Sequence, residues 1–138
     1  VSQEQPLSSR RILSSLEELS IFAVELATSL PRGVIIGLTG TLGAGKTALV
    51  QALCRALGYT AEVLSPTYTL EHIYELPSGE VVYHWDLYRA ADEMALLERI
   101  GDRKALILVE WPEKLQLELG YQISIRHLEN GSREIMFG

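Results

Sequence analysis

The stretch Gly40-Thr41-Leu42-Gly43-Ala44-Gly45-Lys46-Thr47 constrains this chain more than any other, because it satisfies G-x-x-x-x-G-K-[ST] at every defined position. An apolar run of strand length, Val34-Ile35-Ile36-Gly37-Leu38-Thr39, precedes it, and Ala48-Leu49-Val50-Gln51-Ala52-Leu53-Cys54-Arg55-Ala56-Leu57 follows with helical character. Strand before and helix after is the context that gives this spacing its meaning. Glycines at 40, 43 and 45 let the backbone take positive φ and turn successive N–H groups toward one phosphate. A helix beginning near Gly45 points its positive end at the same anion. Lys46 adds a mobile charge for the β- and γ-phosphates, and the Thr47 hydroxyl suits Mg²⁺. The candidate nucleotide-binding positions are therefore Thr41, Leu42, Gly43, Ala44, Gly45, Lys46 and Thr47.

Composition limits what surrounds this loop. A chain of 138 residues with 47% hydrophobic content suits one domain with a real core, preceded by a flexible segment over residues 1–12. Twelve basic residues against 18 acidic give a net charge of −6, which excludes a broad electrostatic footprint for nucleic acid. Any RNA connection is expected to be indirect. The lone cysteine, Cys54, lies on the helix after the loop, reads as a buried small hydrophobe and fits a reducing compartment. No apolar run approaches the roughly 18 residues of a membrane span. The start lacks a charged-then-apolar signal pattern, so no membrane association and a cytoplasmic location are expected.

The other elements follow from periodicity and punctuation. Ser15-Leu16-Glu17-Glu18 has capping-box spacing, and Leu16, Leu19, Phe22, Ala23, Leu26 and Ala27 share one helical face. That helix should end near Pro31, and Gly58 should end the one after the loop. Two apolar-alternating stretches, Tyr68 to Glu75 and Val81 to Trp85, flank Pro77-Ser78-Gly79-Glu80 and predict an antiparallel hairpin. Ala91 to Ile100 reads as helix closed by Gly101, and Ala105-Leu106-Ile107-Leu108-Val109 as a buried strand ending in an acid. Asn130-Gly131 predicts a last hairpin between Tyr121-Gln122-Ile123-Ser124-Ile125 and Glu134-Ile135-Met136-Phe137. The expected fold is α/β, a P-loop NTPase-like three-layer sandwich with a mixed sheet containing antiparallel hairpins.

Chemistry needs acids near the loop. Glu110 ends an apolar strand, and in parallel sheets the ligand crevice lies at that end. There it could hold Mg²⁺ through water or orient an attacking water. Asp86 ends the strand from Val81 to Trp85, on the same side as His84, and competes for the same task. Spacing does not choose between the two acids. Ser65-Pro66-Thr67 lies where nucleotide switches place a hydroxyl that senses a γ-phosphate, so Thr67 joins the catalytic candidates. Arg89 could reach a phosphate or a partner carboxylate, and reads equally as a solvated surface arginine. His72, His84 and His127 lack zinc-ligand spacing with Cys54, and Trp85 and Trp111 read as packing residues.

Taken together, the 40–47 loop, Ser65-Pro66-Thr67-Tyr68-Thr69-Leu70, His84-Trp85-Asp86-Leu87-Tyr88-Arg89 and Glu110-Trp111-Pro112-Glu113 resemble the TsaE (YjeE) family. The resemblance covers residues 34–113 and extends more loosely to both ends. Its members are small bacterial ATPases needed to make threonylcarbamoyladenosine at position 37 of tRNAs. The resemblance implies that Lys46 and the loop bind ATP phosphates, that Thr47 and Glu110 hold Mg²⁺, that Thr67 lies in a switch-like segment and that Asp86 supports hydrolysis. It further implies partnership with TsaD and TsaB, with ATP-dependent action resetting the machinery between rounds and weak ATPase activity alone. The Asn130-Gly131 tip and the first helix are expected to border the adenine, and the lack of an Asn-Lys-x-Asp element argues against a GTPase. Two other classes use the same loop. A small-molecule kinase would pass phosphate to an acceptor near Asp86 beneath a lid bearing Arg99, Arg103 and Lys104. A non-hydrolysing adaptor would change partner affinity with the bound nucleotide.

Overall fold

Ala105–Glu110 is apolar on both faces up to its final acid, and all six residues are buried. Such a segment folds only as a central strand covered on both sides. The computed structural model describes residues 9–41, 44–61, 71–87, 96–114 and 118–138. In chain order its elements are β1 (Ser9–Leu13), α1 (Leu16–Ser29), β2 (Ile35–Thr39), α2 (Lys46–Ala56), β3 (Glu71–Glu75), β4 (Val81–Asp86), β5 (Ala105–Glu110), a 3-10 turn (Pro112–Lys114), β6 (Tyr121–His127) and β7 (Arg133–Phe137). Among the described residues the strands form one sheet in the order β1-β7-β6-β2-β5-β4-β3. The centre, β6-β2-β5-β4, is parallel, and antiparallel partners flank it: β3 beside β4, and β7 between β6 and β1.

Both sheet faces are covered. Phe22 and Leu26 of α1 and Leu49 and Leu53 of α2 belong to one core with Ile36, Leu38, Leu106 and Leu108 of the central strands. On the opposite face Ile35, Trp85, Ile107 and Val109 meet Leu87, Leu96 and the partly buried Trp111 and Leu119. The expected α/β sandwich with a mixed sheet is the observed fold. No helix among the described residues is long and apolar enough to cross a membrane.

Local signals explain most boundaries. Ser15 caps α1, its Oγ accepting from the Glu18 N–H at 3.1 Å, while the Glu18 carboxylate accepts from the Ser14 N–H at 2.7 Å. The reciprocal bond of the capping box has thus moved back by one residue. Leu19, Phe22, Ala23, Leu26 and Ala27 are buried as the periodicity predicts, but Leu16 is 68% exposed. Its first-turn position overhangs a small cavity instead of the core. Gly58, at φ +98°, ends α2 as expected, with its N–H donating to the Arg55 carbonyl. Both hairpins form, with residues 68–70 of the first expected strand outside the described residues; of the expected helix only residues 96–97 are helical, residues 98–101 are turn and residues 91–95 lie outside the described residues.

One expectation needs correction. Residues 9–12 are not part of a flexible terminal segment, because β1 pairs with β7 from Ser9↔Phe137 to Leu13↔Arg133. Hydrophobicity does not signal this strand, since only Leu13 is buried. Its two arginines go to opposite faces: Arg11 points to the helical face, bonding Glu25 at 2.8 Å and lying over Phe22, while Arg10 pairs with Glu134 on the other.

Candidate functional site

The two helices begin differently. Ser15 caps α1, and acids Glu17 and Glu18 occupy its first turn. The start of α2 has Gly45 at its cap in left-handed geometry (φ +112°), no side-chain cap bond and no acid in its first turn. Among the described residues, then, no side chain caps the first N–H groups of α2. Glycine is required at two loop positions. A Cβ on Gly40 would lie 2.7 Å from the Ile125 carbonyl oxygen, and one on Gly45 would meet the Arg133 guanidinium at 3.0 Å from Nε. Arg133 thus stands beside the loop, a role that its position at the start of a terminal strand does not signal.

The sheet delivers the acids to the same place. Strands β2, β5 and β4 run parallel, so their C-terminal ends share one edge. Residues 40–47 follow β2, Glu110 ends β5 and Asp86 ends β4. Asp86 and Glu110 are register partners and point to the same face as α2. The competition between them resolves into adjacency, since both stand at the crevice.

Lys46 and Glu110 are both buried, exposing 7% and 6% of their surfaces. The Lys46 ammonium donates to the Gly40 carbonyl oxygen at 2.7 Å, lies 3.9 Å from Glu110 Oε1 and sits 4.7 Å from the centroid of the Trp111 ring. Contacts to a carbonyl, a carboxylate and a π-face hold the charge at the loop in a desolvated position. Trp111 has φ +59°, a conformation that costs a non-glycine residue about 1–3 kcal/mol. Trp111 packs as expected, but it also faces the lysine, which strand patterning does not reveal.

His84 is the other residue that motif reading missed. It is fully buried on β4, and its Nε2 lies 2.6 Å from Glu110 Oε2. Alternation placed His84 on the side of Asp86, but only the insertion of β5 between β2 and β4 brings Glu110 against it. Trp85 is packed as expected, donating from Nε1 to Glu71 at 2.5 Å, and Glu71 also accepts from Arg99 at 3.1 Å. That hydrogen bond holds the Arg99 pKa above its usual value, with burial opposing. Arg99 is therefore engaged in a structural ion pair with β3. Burial pushes the Cys54 thiol up to about 12, and the residue is an inert packing group.

Among the remaining candidates, Thr41 is exposed, Ala44 is buried and Thr47 is half-buried at the start of α2. Leu42, Gly43, Thr67 and Arg89 lie outside the described residues. Beside the loop, a cavity of about 170 Å³ lies between the start of α1 and the β6–β7 turn, lined by Leu13, Ser15, Leu16, Leu19, Gly131 and Arg133. Arg133 adjoins both this cavity and Gly45.

Fold and loop together define an α/β protein built on a strand, glycine loop and helix, with paired acids at the ends of neighbouring strands. Within that class the chain belongs to the TsaE family: the family model for the threonylcarbamoyl adenosine biosynthesis protein TsaE matches residues 13–135. The match reaches well past Glu113, so the family pattern includes the last hairpin. The tRNA threonylcarbamoyladenosine biosynthesis protein TsaE of Aquifex aeolicus is 43% identical over 105 residues, covering 75% of this chain and 76% of that protein. The protein of the same name from Synechocystis is 41% identical over 111 residues (75% and 69%), and that from Treponema pallidum 32% over 134 residues (91% and 97%). The crystal structure of YdiB from Bacillus subtilis superposes with a TM-score of 0.76 at 29% identity, covering 97% of this chain and 87% of that one. The family's role lies in the biosynthesis of threonylcarbamoyladenosine in tRNA.

Proposed function

We propose that this chain binds Mg²⁺ and ATP at the 40–47 loop and hydrolyses the nucleotide as a partner-dependent switch in tRNA threonylcarbamoylation. The observation that carries this reading is the pairing of an uncapped α2 start with a buried lysine and a carboxylate at the ends of parallel strands. An uncapped helix N-terminus with no acid in its own first turn favours an anionic ligand. The residues present fit the group. Thr41, Leu42, Gly43, Ala44 and Gly45 supply backbone donors, Lys46 exchanges its carbonyl contact for phosphate oxygens, and the cavity between α1 and Gly131 takes the base. Thr47 and Glu110 would hold the metal, oxygen donors of the kind Mg²⁺ prefers. A metal held there would supply charge neutralisation at the phosphates. Glu110 and Asp86 orient water at the strand ends, and Thr67 reports the state of the nucleotide. Partners are TsaD and TsaB in the cytoplasm, with tRNA reached through the complex, a reading that the net charge of −6 supports.

The test is reconstitution with TsaD, TsaB and tRNA, measuring ATP binding, phosphate release and modified tRNA together. Lys46→Ala should abolish ATP binding and repeated rounds of modification. Undiminished ATP binding by that variant would overturn the nucleotide site, and phosphate recovered on a small acceptor would replace the ATPase with a kinase.

A further inference from the structure

His84 is buried on β4 between Tyr83, which carries Arg99 over its ring, and Trp85, which donates to Glu71. Its two nitrogens have opposite fates. Nε2 lies 2.6 Å from Glu110 Oε2, while Nδ1 is buried and makes no hydrogen bond among the described residues. At 2.6 Å one proton must lie between nitrogen and oxygen. Were that proton on Glu110, or were the ring doubly protonated, Nδ1 would be a buried N–H donor with no acceptor. Buried N–H groups left without an acceptor are rarer than buried acceptors left without a donor. The arrangement with least penalty is therefore the tautomer that donates from Nε2 to Glu110 and leaves Nδ1 bare.

This bond makes the carboxylate asymmetric. Oε2 is taken by His84, and Oε1 faces the loop, 3.9 Å from the Lys46 ammonium. A carboxylate with both oxygens free could rotate about its last torsion, whose energy is broad and roughly two-fold. One fixed oxygen removes that freedom. We infer that His84 is a positioning residue, which holds Glu110 by one oxygen so that the other alone serves the metal shell and water at the loop. The inference rests on the proposed nucleotide site and assigns His84 no contact with nucleotide or metal. Partners of a ligating group in other proteins have this property, and their loss typically costs about 10–100-fold in activity or metal affinity.

Two measurements test it. Long-range ¹H–¹⁵N correlation on the full ¹⁵N-histidine-labelled chain, without nucleotide, should show one buried imidazole protonated at Nε2 and bare at Nδ1, and Glu110→Ala should shift its Nε2 resonance. A ring protonated at Nδ1, or one unmoved by Glu110→Ala, overturns the inference. In the reconstituted system, His84→Phe keeps the ring's bulk without the donor and should lower kcat about 10–100-fold, with KM for ATP changing less than about threefold. His84→Gln, which can place an amide N–H near the Nε2 position, should recover most of the loss. Equal damage in the Phe and Gln variants, or an unchanged kcat in His84→Phe, also overturns it. If the unmutated chain bound no ATP, the proposed nucleotide site would fail, while the imidazole spectrum would still decide the pairing.

Discussion

Two glutamates on this sheet are equally hidden and differently held. Glu110 on β5 and Glu134 on β7 expose 6% and 5% of their surfaces. Glu134 is clamped by Arg10 and by Arg126, which donates to Oε1 at 2.6 Å, so both carboxylate oxygens meet a guanidinium. Glu110 has one oxygen on the His84 imidazole and the other 3.9 Å from a lysine already bonded to a carbonyl. Similar burial therefore has two meanings. A carboxylate whose charge is fully answered within its own sheet is a staple, and one left half-answered at the end of a parallel strand is available for chemistry. Their places agree: Glu134 ties the antiparallel wing β1-β7-β6, and Glu110 stands where β2, β5 and β4 end together.

The strongest way to break this contrast is to neutralise each acid in turn. Glu110→Gln should reduce partner-stimulated ATP turnover by about 100-fold, the scale of losing one preorganised electrostatic group. It should also cost stability, because the buried Lys46 ammonium loses the carboxylate 3.9 Å away, although the amide oxygen can still accept from His84. Glu134→Gln should lower the melting temperature and leave turnover alone. Finding the two phenotypes exchanged would refute the distinction. Asp86→Asn probes whether the site is one acid or two. Because Asp86 is the register partner of Glu110, turnover should fall about tenfold or more, within the range for a positioned acid–base group. Full turnover in that variant would leave Glu110 as the single acid at the crevice.

How legible these sites are depends on how far apart in the chain their parts lie. Residues 34–57 announce strand, loop and helix locally, and the Ser15 cap, the Gly58 stop and both hairpins follow from nearby residues. The pairing of His84 with Glu110 does not. It arises because β5 enters the sheet between β2 and β4, aligning His84 with Leu108 and Asp86 with Glu110, and no local signal specifies that insertion. Arg133 is silent for the same reason: it reaches Gly45 only after β7 has folded back beside β6. The left-handed backbone of Trp111 has no signature, since bulky residues avoid that region. β1 was hidden by its composition, with arginines where a strand usually shows alternating apolar groups, and its partners Glu134 and Glu25 lie far away in the chain or on a helix.

The smallest predicted effect concerns the pH at which the arginine staple fails. Hydrogen bonds from Arg10 and Arg126, with burial opposing, hold the Glu134 carboxyl below its ordinary value of 4.5. In the unfolded chain the group titrates near that ordinary value, so between the folded and unfolded values the unfolded state binds more protons. Stability from Glu134 is therefore fully present above the ordinary carboxylate range and declines as pH falls through the folded value. Both arginines are largely exposed, so the contribution is modest and salt should weaken it further. Thermal melts of the unmutated chain and Glu134→Gln should differ at neutral pH and converge in acid, with a smaller neutral difference in high salt. A gap that stayed constant from neutral pH into acid would mean that Glu134 acts by shape and not by charge, and the contrast with Glu110 would then lose its electrostatic basis.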